Sequence, residues 1–158
     1  MTSFLWGRRK QGTDVTQGNV FMTYDPDNIF AKILRGEIPS NKVYEDDDTY
    51  AFMDIMPRAD GHLLVIPKTP CRNVLDASPE QLAAVMATVQ KMAQTVLRAF
   101  SADGVTIQQF NEAAGGQEVF HLHFHVLPRH EGISLRAPGQ MGDFDVIAGH
   151  ADLIRAAV

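Results

Sequence analysis

Cysteine is almost missing from this chain: Cys71 stands alone among 158 residues. One thiol cannot close an internal disulfide, so the fold must rest on its core. A reducing cytoplasm is the compartment this usage fits. Long apolar runs are missing as well. None approaches the ~20 residues of a membrane-spanning helix, so no membrane partner is expected. Basic charge is scarce, with 14 Lys and Arg against 19 Asp and Glu and a formal net charge of −5. That balance argues against a protein devoted to broad binding of a nucleic-acid backbone, but small phosphates are bound by local geometry and are not excluded. No internal repeat is evident. What is present is 45% hydrophobic and 21% charged, an ordinary globular composition at a length suited to one domain.

Residues 1–23 carry Phe4, Leu5 and Trp6 followed by Arg8, Arg9 and Lys10, with no helical or strand period. Secretory signals place charge before the apolar stretch, the reverse of this order. The segment reads as a flexible N-terminal extension or tag. Regular patterning begins near Asp27, where Asp27 or Asn28 can cap a short helix that Gly36 ends. Strands are expected at 42–45, 49–55, 62–66, 105–110 and 119–127. Between the third and fourth, Ser78-Pro79-Glu80-Gln81 supplies a capping residue, Pro at the first helical position and Gln at the third. Val85, Val89, Met92 and Val96 then recur at helical spacing. A short helix is expected at 150–157. This order predicts an α+β fold with an antiparallel sheet.

The run 120–127 concentrates the chemistry. His121, His123 and His125 alternate with Leu122, Phe124 and Val126. At the period of two expected of a strand, the imidazoles share one face and the apolar residues the other. Such a row can hold a metal, hold a phosphate or present a nucleophile. Histidine is the commonest metal ligand, so on these residues alone a metal site comes first, although no acidic ligand follows at a convincing spacing.

His121-Leu122-His123-Phe124-His125-Val126-Leu127 resembles the signature of the histidine-triad family. The resemblance extends to 29–40, to Ala51-Phe52-Met53-Asp54-Ile55, to 61–68, to Ala114-Gly115-Gly116-Gln117-Glu118-Val119, and to the exit Pro128-Arg129. Coverage is about 28–129, so the chain divides into the extension, a domain at 24–130, and a C-terminal tail at 131–158 packing on the domain or a dimer partner. The resemblance implies a sheet of about five strands with one long and one or two short helices, and a homodimer.

It also implies hydrolysis or transfer at the α-phosphate of purine nucleoside phosphoramidates or dinucleoside polyphosphates, with AMP or GMP released. By position, His123 is the nucleophile, forming a nucleotidyl-histidine intermediate, while His121 and His125 flank it. Gln117 is expected at the phosphate, with backbone groups of Gly115 and Gly116 and the Asn111 side chain as further contacts. Asp54 is expected on the ribose hydroxyls, Phe30, Ile33 and Ile55 around the base, and His62 beside the triad. Two departures stand out. Asn28 and Ala31 occupy the places of a cysteine pair that binds zinc in some members, so no zinc or other cofactor is expected. Glu118 stands where the family's phosphoramidases usually carry Ser. The alternative reading is a nucleotide-binding or protein-interaction module of low turnover.

Overall fold

The computed structural model describes residues 23–158; the expected N-terminal extension lies almost wholly outside them. The elements are α1 (Ile29–Leu34), β1 (Lys42–Glu45), β2 (Thr49–Met53), β3 (Leu63–Pro67), α2 (Pro79–Ala99), β4 (Gly104–Gln108), a 3-10 turn (Ala113–Gly115), β5 (Phe124–Arg129) and α3 (Phe144–Ala157). The fold is α+β. Its five strands form one antiparallel sheet in the order β1-β2-β3-β5-β4.

Local chemistry accounts for the boundaries. Asn28 caps α1, its side chain accepting from the N–H groups of Phe30 and Ala31. The Asp46 carboxylate accepts from the N–H groups of Asp48 and Thr49, closing the turn between β1 and β2. Ser78 and Gln81 form a reciprocal capping box at the start of α2, with Pro79 just inside.

The sheet buries both faces. Ala51 and Met53 of β2 and Leu63 and Val65 of β3 join Val85, Val89, Met92 and Val96 of α2 and Ile147, Ala151 and Ile154 of α3 in one core. Their alternates Phe52, Leu64 and Ile66 face α1 and pack on Phe30. β3 is buried along its whole length, which is why it reads as a continuous apolar run. In the register, Leu64 is opposite His125 and Gln108 is opposite His125. Residues opposite one another in antiparallel strands share a face, so the third histidine lies on the α1 side of the sheet.

Two expectations need correction. The histidine run is not one strand: β5 starts at Phe124. His121, Leu122 and His123 are all buried, and the Leu122 N–H donates to the Cys71 carbonyl at 2.9 Å. This stretch is held against the segment at 67–71 and does not continue the ladder. The C-terminal helix is also longer than expected. Asp143 caps it, its side chain accepting from Asp145 and Val146. Gly149 and His150 interrupt its apolar pattern, but Ile147, Ala151 and Ile154 complete the core. α3 therefore packs on the core of the domain.

Candidate active site

A cavity of about 660 Å³ opens on the α1 side of the sheet. Its apolar part comes from Ile29, Phe30, Ile33, Ile38, Phe52 and Ile55; its polar part includes Asp54, Arg58, His62, Gln108, Glu118, His123 and His125. The Phe30 ring stands edge-on to His123, with centroids 5.1 Å apart and planes at 84°. It is nearly buried and packs on Phe52. Phe30 is therefore both core and wall. Ile55, at 40% exposure, forms part of the mouth.

The hydrogen bonds of each ring nitrogen define its proton inventory. His123 Nδ1 lies 2.7 Å from the His121 carbonyl. A carbonyl only accepts, so Nδ1 carries the proton and Nε2 is left with its lone pair. His62 Nδ1 is 3.1 Å from the Arg58 N–H and must accept. His62 Nε2 therefore carries the proton, and donates to His125 Nδ1 at 2.9 Å. The remaining His125 nitrogen, Nε2, is then an N–H donor. Two backbone groups thus set the tautomers: a nucleophilic nitrogen on His123 and a donor on His125. Their ring centroids are 5.1 Å apart.

Burial keeps the rings neutral. It depresses His62 to about 3, with the Arg58 and Arg136 charges adding to the effect. His123 and His125 are pushed down for the same first reason. On His123, the hydrogen bond to the His121 carbonyl and the charges of Asp54 and Glu118 pull the other way. On His125, the neighbouring His123 and His62 add to the depression. A neutral imidazole near pH 7 retains the lone pair that nucleophilic attack requires.

His121 is elsewhere. It is fully buried, off the cavity wall, with Nε2 donating to the Pro67 carbonyl at 2.9 Å and Nδ1 bound to the Tyr24 hydroxyl at 2.6 Å. Both nitrogens are occupied, so its expected catalytic place becomes a supporting one: its carbonyl orients His123. Gln117 is also corrected. It is buried, and its amide oxygen accepts from Asn73 Nδ2 and the Glu112 N–H. Its amide nitrogen donates to the Arg72 and Val119 carbonyls. With both ends spent on the protein, it clamps the loop before the triad and does not line the cavity.

The glycine loop differs from expectation for a related reason. The N–H groups of Gly115, Gly116 and Gln117 are consumed within the 3-10 turn. Gly116 lines the cavity and adopts φ +93°, which only glycine adopts readily; Gly115 is not on the wall. Asn111 is also off the wall, exchanging amide hydrogen bonds with Gln109 and accepting from the Val74 N–H. Asp54, His62, His125 and His123 are the expected polar residues that the fold does bring together. Asp54 Oδ1 accepts from the Met56 N–H at 2.8 Å, and Oδ2 lies 3.4 Å from His62 Nε2 and 3.8 Å from His125 Nδ1.

Sequence reasoning missed Arg58, Gln108 and Phe110 on the wall and Tyr24 behind His121. Gln108 is legible once the β4–β5 register is known, since it faces His125. Tyr24, 97 residues from its partner, left no local signal.

For metals, Asp54, His62 and His125 bring one ligand atom each within 4.8 Å. Arg58 and Arg136 place positive charge beside them, and the two rings already share a hydrogen bond. The Asn28 side chain is spent capping α1 and Ala31 has no ligand atom. These two positions do not fit a thiolate zinc site. No helix among the described residues is long and apolar enough to cross a membrane.

The family model described as "HIT domain" matches residues 35–132. Among curated proteins, the chain is 43% identical over 104 residues to an uncharacterised HIT-like protein of Methanocaldococcus jannaschii, covering 66% of this chain and 80% of that one. It is 37% identical over 136 residues to an adenosine 5'-monophosphoramidase of Saccharomyces cerevisiae, covering 84% of each. An adenylylsulfatase of Arabidopsis thaliana is 37% identical over 109 residues, which is 69% of this chain and 55% of that one. Among solved structures, a Hit-like protein from Bartonella henselae superposes with a TM-score of 0.82 at 57% identity, covering 85% of this chain and 98% of that one. A Zn-bound histidine-triad protein from Mycobacterium smegmatis gives 0.75 at 36% identity, covering 83% and 92%.

Proposed function

This chain belongs to the HIT-domain family, and from that premise we propose that it is a nucleotide hydrolase cleaving at the α-phosphate through a nucleotidyl-histidine intermediate on His123. The observation that carries the reading is the bond from His123 Nδ1 to the His121 carbonyl, 2.7 Å long, which reserves Nε2 as an unprotonated nucleophile. The phosphoramidase and adenylylsulfatase named among the relatives support the reaction class.

In this reading the purine base occupies the apolar end formed by Phe30, Ile33 and Ile55, and Asp54 accepts from the ribose hydroxyls. The His123 Nε2 lone pair attacks phosphorus and the bond to the leaving group breaks. The His125 Nε2–H, fixed by His62, donates to the charge that develops on phosphoryl or leaving-group oxygen. Donors aimed at that charge contribute most when they are already oriented. Water then cleaves the phosphorus–nitrogen bond: its hydroxyl ends on phosphorus and its proton balances the departing group. The product is a nucleoside monophosphate. Glu118, on the wall and exposed, lies within electrostatic reach of His123.

The test is turnover of adenosine 5'-phosphoramidate and of diadenosine polyphosphates, with mass spectrometry of the quenched protein for an adenylyl adduct. Wild type is expected to turn over at least one of them, and His123→Ala to lose both turnover and adduct by at least a thousandfold. Binding of AMP with no turnover and no adduct in wild type would replace the hydrolase with a nucleotide-binding module.

A further inference from the structure

The cavity wall carries three formal charges apart from its histidines: Asp54, Glu118 and Arg58. Asp54 is placed by its bond to the Met56 N–H and lies against the two rings. Arg58 is the wall's one cation, and the nucleotidyl-transfer reading uses its backbone N–H but not its guanidinium.

Its placement is built. The Arg58 N–H holds His62, and its Nε donates to the Arg136 carbonyl at 3.0 Å. Arg136 returns the contact, its N–H donating to the Arg58 carbonyl at 2.8 Å and its Nε to Pro57 at 2.9 Å. The two arginines then differ. Arg136 is neutralised by Asp60 at 2.9 Å, whereas Arg58 has no carboxylate partner among the described residues. One edge of the guanidinium is tethered; the terminal nitrogens remain as a fork for an anion. The charge of Arg58 falls on His62 and His125, while that of Glu118 falls on His123. The Arg58 backbone N–H binds His62, which holds His125 in turn, so the residue sits at the His62–His125 end of the wall.

We propose that Arg58 is a specificity-determining residue that favours nucleotides whose leaving group is itself an anion, such as sulfate or a further phosphate. The proposal rests on the hydrolase reading above. For adenosine 5'-phosphosulfate the step balances without an acid. His123 Nε2 bonds to phosphorus, the bridging P–O bond breaks, and its electron pair leaves on sulfate, which departs as the dianion. Water then adds its hydroxyl to phosphorus and breaks the bond to Nε2; its proton passes to solvent, AMP leaves and the neutral imidazole is restored. Such a leaving group needs a fixed positive charge rather than a proton, and a tethered guanidinium supplies one without reorganisation. An uncharged amine gains nothing from it.

The experiment measures kcat/KM for adenosine 5'-phosphosulfate and for adenosine 5'-phosphoramidate in wild type, Arg58→Gln and Arg58→Lys, and compares the ratio of the two. In Arg58→Gln the sulfate-to-amidate ratio is expected to fall at least tenfold, and in Arg58→Lys, which keeps the charge, to fall less than threefold. An equal loss on both substrates would place Arg58 on the α-phosphate or on His62 alone and overturn the proposal. So would an unchanged ratio, or a Lys variant as impaired as Gln. Wild type inactive on both substrates would instead remove the hydrolase reading, and the proposal with it.

Discussion

Acid should unfold this protein partly through one histidine that touches no substrate. His121 is fully buried, with its ring nitrogens bound to the Pro67 carbonyl and the Tyr24 hydroxyl. Burial lowers its pKa from 6.5 to about 4. In the unfolded chain it takes a proton as pH falls through about 6.5; in the folded protein it does not until about 4. Between those values the unfolded state binds one more proton, so stability rises with pH in that window. The contribution is complete above 6.5 and is lost on acidification at about 1.4 kcal/mol per pH unit. From pH 6.5 down to 5 this amounts to roughly 2 kcal/mol, a large share of the 5–15 kcal/mol typical of a domain.

His121→Gln removes the titration while offering a donor to Pro67 and an acceptor to Tyr24. Urea unfolding of wild type and variant at pH 7 and pH 5 reads the difference directly. The wild-type advantage at pH 7 is expected to shrink by about 2 kcal/mol at pH 5. A change below about 0.5 kcal/mol would mean that His121 titrates normally in the folded protein, and would refute the argument from its burial.

Two further substitutions address the rest of the hydrogen-bond network. His62→Phe removes the N–H that holds His125 and leaves the Arg58 N–H unpaired; a loss of about 1.5–3 kcal/mol of transition-state stabilisation, or roughly 10- to 100-fold in kcat, is expected, and steady-state kinetics showing less than a threefold change would break the proposed relay. Gln117→Leu strands two buried donors and two carbonyls, for an expected loss of about 3–5 kcal/mol; a denaturant midpoint within about 1 kcal/mol of wild type would show that the clamp on the triad loop is dispensable.

Wherever a local rule sufficed, the elements were legible. Ser78, Pro79 and Gln81 announce the start of α2, because capping is decided within four residues. The Asp27-Asn28 pair announces the start of α1 for the same reason, and Asn28 is the one that caps it. Strand ends were less legible. β2 and β4 stop before the expected residues, at Met53 and Gln108, since ladder pairing depends on a partner strand. α3 was read as half its length, because what makes it a core helix is the surface at which Ile147, Ala151 and Ile154 arrive.

In the site, residue types and spacing along the chain brought out the triad; the order of blocks around it carried the family resemblance, and that resemblance pointed to Asp54 and His62. Alternation alone could not say which imidazole does what. His121, His123 and His125 are equivalent in a strand pattern, and they become a supporting ring, an unprotonated nitrogen and a donor only through Pro67, the His121 carbonyl, and His62 with Arg58 behind it. Gln117 and Asn111 had the right chemistry for a phosphate, yet their polar groups are spent on Asn73, Arg72, Val74 and Gln109. The sequence by itself determined which groups are present and roughly which elements carry them, because those are set by composition and local periodicity. The tertiary structure decided which nitrogens and amides remain free, because a hydrogen-bond partner distant in the chain is set by where the backbone is packed.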